Sequence, residues 1–219
     1  MSPSTSTATP PVTPAQNSDR EEKRMEKRIV TPFLRKDAEM LRVGDQVLLS
    51  GTVYTARDAA HARLVKLLEE GRALPLPLRD SILYYVGPTP AKPDEVIGSA
   101  GPTTSYRMDR YTPLLIERGL RGMIGKGARS REVVESMKKH GAVYFGALGG
   151  AGALLSQKIT SCRVVCYEDL GAEAIHELTV VHFPVTVAID TQGNNLYDAG
   201  PAAYLQSLQA KKIYPTVGL

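Results

Sequence analysis

Between residues 82 and 167 the chain alternates between an apolar strand pattern and a helical one, and this alternation limits the possible folds more than any other feature. Ile82-Leu83-Tyr84-Tyr85-Val86 reads as a strand, and a helical pattern runs from Tyr106 to Arg118, where Gly119 stops it. Gly122-Met123-Ile124-Gly125 is a short strand. Ser130 caps a helix that continues through Lys139 to Gly141, and Ala142-Val143-Tyr144-Phe145 is the next strand. Arg163 to Tyr167 is a further strand, so the segment predicts an α/β layer.

The flanks are richer in strands. Arg28 to Phe33 has the pattern of a short edge strand, and Gln46 to Ser50 with Thr52 to Thr55 forms a longer extended stretch. From Ala56 the period becomes helical: Leu64, Leu67 and Leu68 share a face, Lys66, Glu69 and Glu70 lie opposite, and Gly71 ends the helix. Arg57 starts this helix, with His61 four residues on along the same face. Val185 to Ile189 is a closing strand, followed by a turn at Gln192 to Asn195 and a helix near Pro201 to Ala210. The strand-rich ends predict a second, mixed sheet, hence a β/β/α arrangement in one domain over residues 28–219. Residues 1–27 have no apolar period and read as a disordered tail.

Several function classes are disfavoured by what the chain lacks. No apolar run approaches the length of a membrane span, and no apolar leader follows the N-terminus, so a soluble protein is expected. The net charge of +4 is scattered among 23 acidic residues without a basic stripe, which argues against nucleic acid as a partner. Cys162 and Cys166 lie at i and i+4 of what reads as a buried strand, on one face and roughly 13 Å apart, beyond disulfide reach. They are expected to be free thiols in a reducing, cytoplasmic compartment. With four scattered histidines, the chain has no ligand set for a metal of its own.

Three short stretches carry the chemistry. Gly101-Pro102-Thr103-Thr104-Ser105-Tyr106-Arg107-Met108-Asp109 sets hydroxyls and a fixed cation on a turn that feeds a helix, an arrangement that offers backbone N–H groups and a guanidinium fork to an anion. Thr55-Ala56-Arg57-Asp58-Ala59-Ala60-His61 and Gly125-Lys126-Gly127 place two more cations at strand-to-helix turns, as a substrate with more than one negative charge would need. Singly these are weak signals: an arginine at a helix start is more often solvated or ion-paired, and Gly125-Lys126-Gly127 lacks the remainder of a phosphate loop. His61 either orients a carboxylate or satisfies a core hydrogen bond. The turn after Asp190 and the small-residue run Gly149 to Leu155 have packing explanations as well.

Together with Gly149-Gly150-Ala151 and Gly193-Asn194-Asn195-Leu196-Tyr197, these strings in this order resemble the C-terminal half of the class I, iron–sulfur fumarate hydratases, in the form where that half is a separate β subunit. The resemblance runs from about residue 28 to residue 205, and the β subunit of L-tartrate dehydratase shares the second and third strings. It implies a swivelling β/β/α domain similar to the mobile domain of aconitase. It also implies a hetero-oligomer with an α subunit that holds a 4Fe–4S cluster, and reversible hydration of fumarate to (S)-malate as part of the tricarboxylic acid cycle. By position in the family's strings, Arg57, Arg107 and Lys126 are expected to bind the dicarboxylate. Thr103 is the expected proton-transfer group or else a binding group, and His61 and Thr104 stand beside it. L-Tartrate dehydration, or a non-catalytic dicarboxylate-binding or assembly module, are the rival functions.

Overall fold

The computed structural model describes residues 26–147 and 151–198. The N-terminal tail, except for its last two residues, Gly149-Gly150 and the helix expected over 201–210 fall outside the described residues. The described residues form seven strands: β1 (Lys27–Val30), β2 (Gln46–Thr55), β3 (Ile82–Tyr84), β4 (Gly122–Gly125), β5 (Val143–Gly146), β6 (Ile159–Cys166) and β7 (Ile175–Ile189). The helices are α1 (Arg35–Glu39), α2 (Asp58–Glu69), α3 (Thr112–Glu117), α4 (Arg131–His140) and α5 (Gly152–Ser156), with 3-10 turns at Ser105–Met108 and Glu168–Glu173. The mixed α/β class expected from the sequence is observed.

Its strands differ from expectation in one respect. They belong to one mixed sheet in the order β1-β2-β3-β4-β5-β7-β6, because β2 also pairs with β7. The strands β2, β3, β4 and β5 are parallel neighbours, and β7 runs antiparallel to both β5 and β2, which closes the circuit. The opening and closing strands are thus hydrogen-bonded into the sheet that carries the helices. β7 is fifteen residues long, but Pro184, which cannot donate to a ladder, breaks its sequence pattern and hides its first half.

The closed circuit encloses one core, and the helices cover another. Val47, Leu49 and Val53 of β2, Ile82 and Tyr84 of β3, Val143 and Phe145 of β5, and Leu178, Val180, Phe183, Val185 and Val187 of β7 fill the inner core. The alternate residues Leu83, Met123 and Tyr144, with Tyr85 just past β3, pack outward against Ala60 and Leu64 of α2, Leu115 and Ile116 of α3, and Val133 and Met137 of α4. Strict alternation would turn Phe183, Val185 and Val187 away from the face shared by Leu178 and Val180. A bulge prevents this: Leu49 pairs with Phe183 but Gly51 with Val180, so Val181 and His182 together oppose Ser50. His182 takes φ 49° there, and its N–H donates to Ser50 Oγ at 3.1 Å.

A second bulge corrects the expectation for the cysteines. Val164 pairs with His176 and Cys166 with Ile175, so one extra residue separates the two thiols from their shared face. Cys162 packs on the inner core and Cys166 on the outer one, both free and half-buried, on an edge strand that is not buried. The helix expected over Tyr106 to Arg118 is likewise divided, into the 3-10 turn at Ser105–Met108 and α3. Pro113 has no N–H for the preceding turn, and the Thr112 hydroxyl donates to Met108 O at 2.9 Å.

The bulge on β7 depends on its partner strand. Gly51 has φ +104°, and a Cβ there would lie 2.3 Å from Thr31 Oγ1, whereas Gly71 has φ +67° and no atom within 4 Å of such a Cβ. Gly51→Ala is expected to lower unfolding free energy by about 2–4 kcal/mol and Gly71→Ala by about 1 kcal/mol, measured by denaturant melts of both variants.

Candidate functional site

Parallel strands release their connections at one edge, and ligands of α/β folds are commonly held outside those carboxyl ends. Here the edge presents Arg57 after β2, Gly87 after β3, Lys126 after β4 and Ala147 after β5. The hydroxyl-rich loop lies across it. Thr103 N–H donates to Tyr85 O at 2.7 Å, Thr104 forms a parallel bridge with Lys126, and Ser105 N–H donates to Lys126 O at 2.9 Å. Gly125 makes this approach feasible, because a Cβ there would lie 2.0 Å from Ser105 Oγ. Arg57, Thr103, Thr104, Arg107 and Lys126 are therefore brought to a common edge.

The cations are not equally engaged. Arg107, on the 3-10 turn and 43% exposed, donates through Nε to Asp58 Oδ1 at 2.9 Å, and Asp58 is the first residue of α2. Arg57, the N-cap of that helix, lies 3.2 Å through Nη2 from Glu173 Oε1 and packs against Gly87, where a Cβ would come within 2.7 Å of Nη1. Lys126 is exposed and makes no ion pair with a described residue. Arg57 Nε and Asp58 Oδ2 are buried without a hydrogen-bond partner among the described residues.

His61 is fully buried. Its Nδ1 lies 2.9 Å from Arg57 O, so Nδ1 carries the proton and donates it to that carbonyl; Nε2 is left as an unpartnered acceptor. Burial pushes its pKa down to about 4, with the Arg129 charge acting in the same direction and the Arg57 carbonyl opposing it. The ring meets Tyr85 edge-on, with centroids 5.2 Å apart, and so links the Arg57 backbone to the residue whose carbonyl holds Thr103.

A buried assembly under the loop escaped the sequence analysis. The Arg129 side chain has no exposure. It donates through Nε to Asp109 Oδ1 at 2.7 Å and through Nη2 to Thr112 Oγ1 at 3.0 Å, and it lies 5.3 Å from the Tyr85 ring centre and 5.0 Å from that of Tyr144. The other Asp109 oxygen accepts from Ser130 N–H at 2.6 Å. Tyr144 OH donates to Gly127 O and accepts from Ser105 Oγ, both at 2.9 Å, and burial raises its pKa. The 101–109 loop and the 125–130 loop are thereby fastened to one another. Asp109 stands inside the conspicuous string, so its own position was a signal. Arg129 and Tyr144 gave none, since their roles exist only across the sheet.

The remaining features resolve as packing. Asp190, fully buried, accepts from Val43, Gln192 and Asn194 and fixes the turn after β7. That turn delivers Tyr197, whose hydroxyl accepts from Gly127 N–H at 3.0 Å beside Lys126. Gly152 starts the short α5 and packs against the Gly101 backbone. Among the described residues no group of three or more His, Cys, Asp or Glu can hold a metal ion, and no helix is long and apolar enough to cross a membrane.

Comparison with known proteins is consistent in kind. The profile of the family described as Fumarase C-terminus matches residues 2–200. Fumarate hydratase 2 of Leishmania major is 36% identical over 75% of this chain and 29% of its own length. The anaerobic class I fumarate hydratase of Escherichia coli K12 is 40% identical over 71% of this chain and 29% of its own. A Methanocaldococcus jannaschii protein provisionally named L(+)-tartrate dehydratase subunit beta is 38% identical over 75% of this chain and 87% of its own length. The aligned part of the chain thus spans 29% of the two fumarate hydratases but most of the separate β subunit.

The histidine supplies a pH test. Its folded pKa of about 4 lies below the ordinary 6.5, so the unfolded chain binds the proton more readily and stability falls as pH drops through that window. The stability gap between wild type and His61→Asn is expected to narrow by about 2–3 kcal/mol from pH 7 to pH 4.5, read from denaturant melts at each pH. A gap independent of pH would show that His61 titrates normally in the folded chain.

Proposed function

The chain belongs to the Fumarase C-terminus family, and on that premise we propose that it is the β subunit of an iron–sulfur hydro-lyase that hydrates fumarate reversibly to (S)-malate in the cytoplasm. The observation that carries the reading is the collection of Arg57, Thr103, Arg107 and Lys126 at the carboxyl edge of adjacent parallel strands. Fumarate and malate are dianions. Arginine forks and an ammonium group fix their carboxylates and spread the charge that develops when a proton leaves the neighbouring carbon.

In this mechanism Arg57, Arg107 and Lys126 bind the carboxylates, with Thr104 backing Lys126 through their bridge. In dehydration Thr103 Oγ takes the proton from the carbon next to one carboxylate as the C–O bond on the adjacent carbon breaks and hydroxide leaves, forming the C=C bond; in hydration it returns that proton as hydroxide adds. Its hydroxyl makes no hydrogen bond to a described residue, which leaves it available to substrate. A threonine hydroxyl is a poor base, and the neighbouring cations lower the cost of its alkoxide character. His61 remains neutral and holds the Arg57 carbonyl. The two half-buried cysteines on different cores do not fit an iron–sulfur cluster, so we assign the 4Fe–4S group to an α subunit. A swivelling motion like that of aconitase's mobile domain would bring this edge to that partner.

L-Tartrate dehydration is the second reading, favoured by the relative from Methanocaldococcus jannaschii that is matched over 87% of its length. The assembled enzyme separates the readings. Paired with its cluster-bearing partner, the chain is expected to interconvert fumarate and (S)-malate, and alone to be inactive and free of iron. Activity of this polypeptide by itself would contradict the subunit reading, a preference for L-tartrate would select the second, and a stable complex inert on all three substrates would indicate a dicarboxylate-binding or assembly module.

Thr103 divides chemistry from binding. Thr103→Val keeps the branched shape and is expected to lower kcat by about 10²–10⁴ with little change in KM, while Thr103→Ser keeps substantial activity. Unchanged kcat in a cluster-loaded Val variant would move the proton transfer to the partner.

A further inference from the structure

Arg57 is the N-cap of α2, yet no side chain at that position caps the helix. A carboxylate from far along the chain takes up that duty. Glu173, the last residue of the 3-10 turn after β6, accepts from Ala59 N–H through Oε2 at 3.0 Å and meets Arg57 Nη2 through Oε1 at 3.2 Å. Both oxygens are thus committed, one to an unpaired donor of the first helical turn and one to the guanidinium. The turn is itself tied down. Arg63, further along α2, forms two bonds to Asp169 at 2.8 and 2.5 Å, and Thr55 Oγ1 donates to Ala174 O at 3.2 Å while accepting from His176 N–H at 2.9 Å.

The opposite side of the guanidinium is equally confined. A Cβ on Gly87 would stand 2.7 Å from Arg57 Nη1, 3.1 Å from its Cδ and 3.0 Å from Ala172 O, so the side chain occupies a slot between the end of β3 and the 168–173 turn. Glu173 takes Nη2, and Nε–H stays buried without a partner. An arginine held in this manner has already lost the rotamer freedom that binding a carboxylate would otherwise remove.

We propose that Glu173 is the positioning residue of Arg57, fixing the guanidinium so that the Nη hydrogens it leaves free meet a substrate carboxylate. The proposal rests on the dicarboxylate reading of this edge. Glu173 itself touches no substrate and stays in place during turnover, because both its oxygens and both ends of its turn are engaged. The effect belongs to ground-state and transition-state binding alike, and so to KM more than to kcat.

Two measurements test this, one with the assembled enzyme and one with the chain alone. Glu173→Gln keeps the size and an acceptor for Ala59 but removes the charge that holds Arg57. KM for fumarate is expected to rise about tenfold with kcat within about threefold of wild type, whereas a structural role would lower the melting temperature and leave KM unmoved. In the isolated chain, hydrogen exchange at Arg57 Nε–H is read by ¹⁵N NMR, the signal being assigned by its loss in Arg57→Lys. It should exchange at least tenfold more slowly than that of exposed Arg35 and accelerate in Glu173→Gln. A folded Gln variant with unchanged KM, or with a lowered KM as a competing internal anion would give, overturns the proposal. So does wild-type Nε–H exchange as fast as that of Arg35, which decides the matter even if the Gln variant does not fold. If no dicarboxylate is turned over by the wild-type complex, the functional reading fails while the exchange measurement still judges Glu173.

Discussion

The ion pair between Arg129 and Asp109 underlies the geometry of the whole edge. Its side chains are 0% and 10% exposed, and burial of that kind penalises both charges unless every remaining donor and acceptor is met. The pair meets the requirement by reaching Thr112, the Met123 sulfur and the Ser130 N–H and by lying beside the rings of Tyr85 and Tyr144. Those rings are the backs of the residues that hold the site: Tyr85 accepts from Thr103 N–H, and Tyr144 bridges Ser105 and Gly127. A buried charge that tolerates one arrangement of its partners therefore sets the position of two surface loops.

On the exposed side the electrostatic logic is reversed. Arg107 and Arg57 already face Asp58 and Glu173, carboxylates of their own chain; Arg107 is exposed enough for its pair to contribute little to stability, while Arg57 is part-buried in its slot. Their value is geometric: they hold long, flexible cations at fixed places along the strand ends. Lys126, without such a partner among the described residues, is left open to whatever approaches. On the proposed reading, the two arginines fixed by internal anions would orient a dianion and the open lysine would add charge.

The legible parts of the sequence are those whose reasons are local. Ser130 caps α4, Gly141 ends it in a left-handed conformation, and Arg57 and His61 lie one helical turn apart, each of which follows from neighbours within a few residues. The strings around Thr103 and Lys126 were likewise visible, though their contact through Ser105 N–H and Lys126 O is a product of the fold. What stayed hidden depends on distant pairing. Pro184 disguised the first half of β7, so the closure of the sheet by β2 and β7 was read as a second sheet. The bulge at Val165 placed Cys162 and Cys166 on different cores, which no count of i and i+4 can reveal. Glu173 and Arg129 carry no local mark, because each acquires its meaning only from the element packed against it.

We propose that Arg57, Arg107 and Lys126 share one dicarboxylate at the carboxyl edge of β2, β3 and β4. The most direct measurement is a crystal structure of the chain with its partner in the presence of succinate, a dianion of fumarate's length that cannot be dehydrated. The succinate carboxylates are expected within hydrogen-bond distance of all three side chains, with one of the central carbons facing Thr103. Succinate bound elsewhere, with Arg57 and Arg107 engaged only by Glu173 and Asp58, would contradict it.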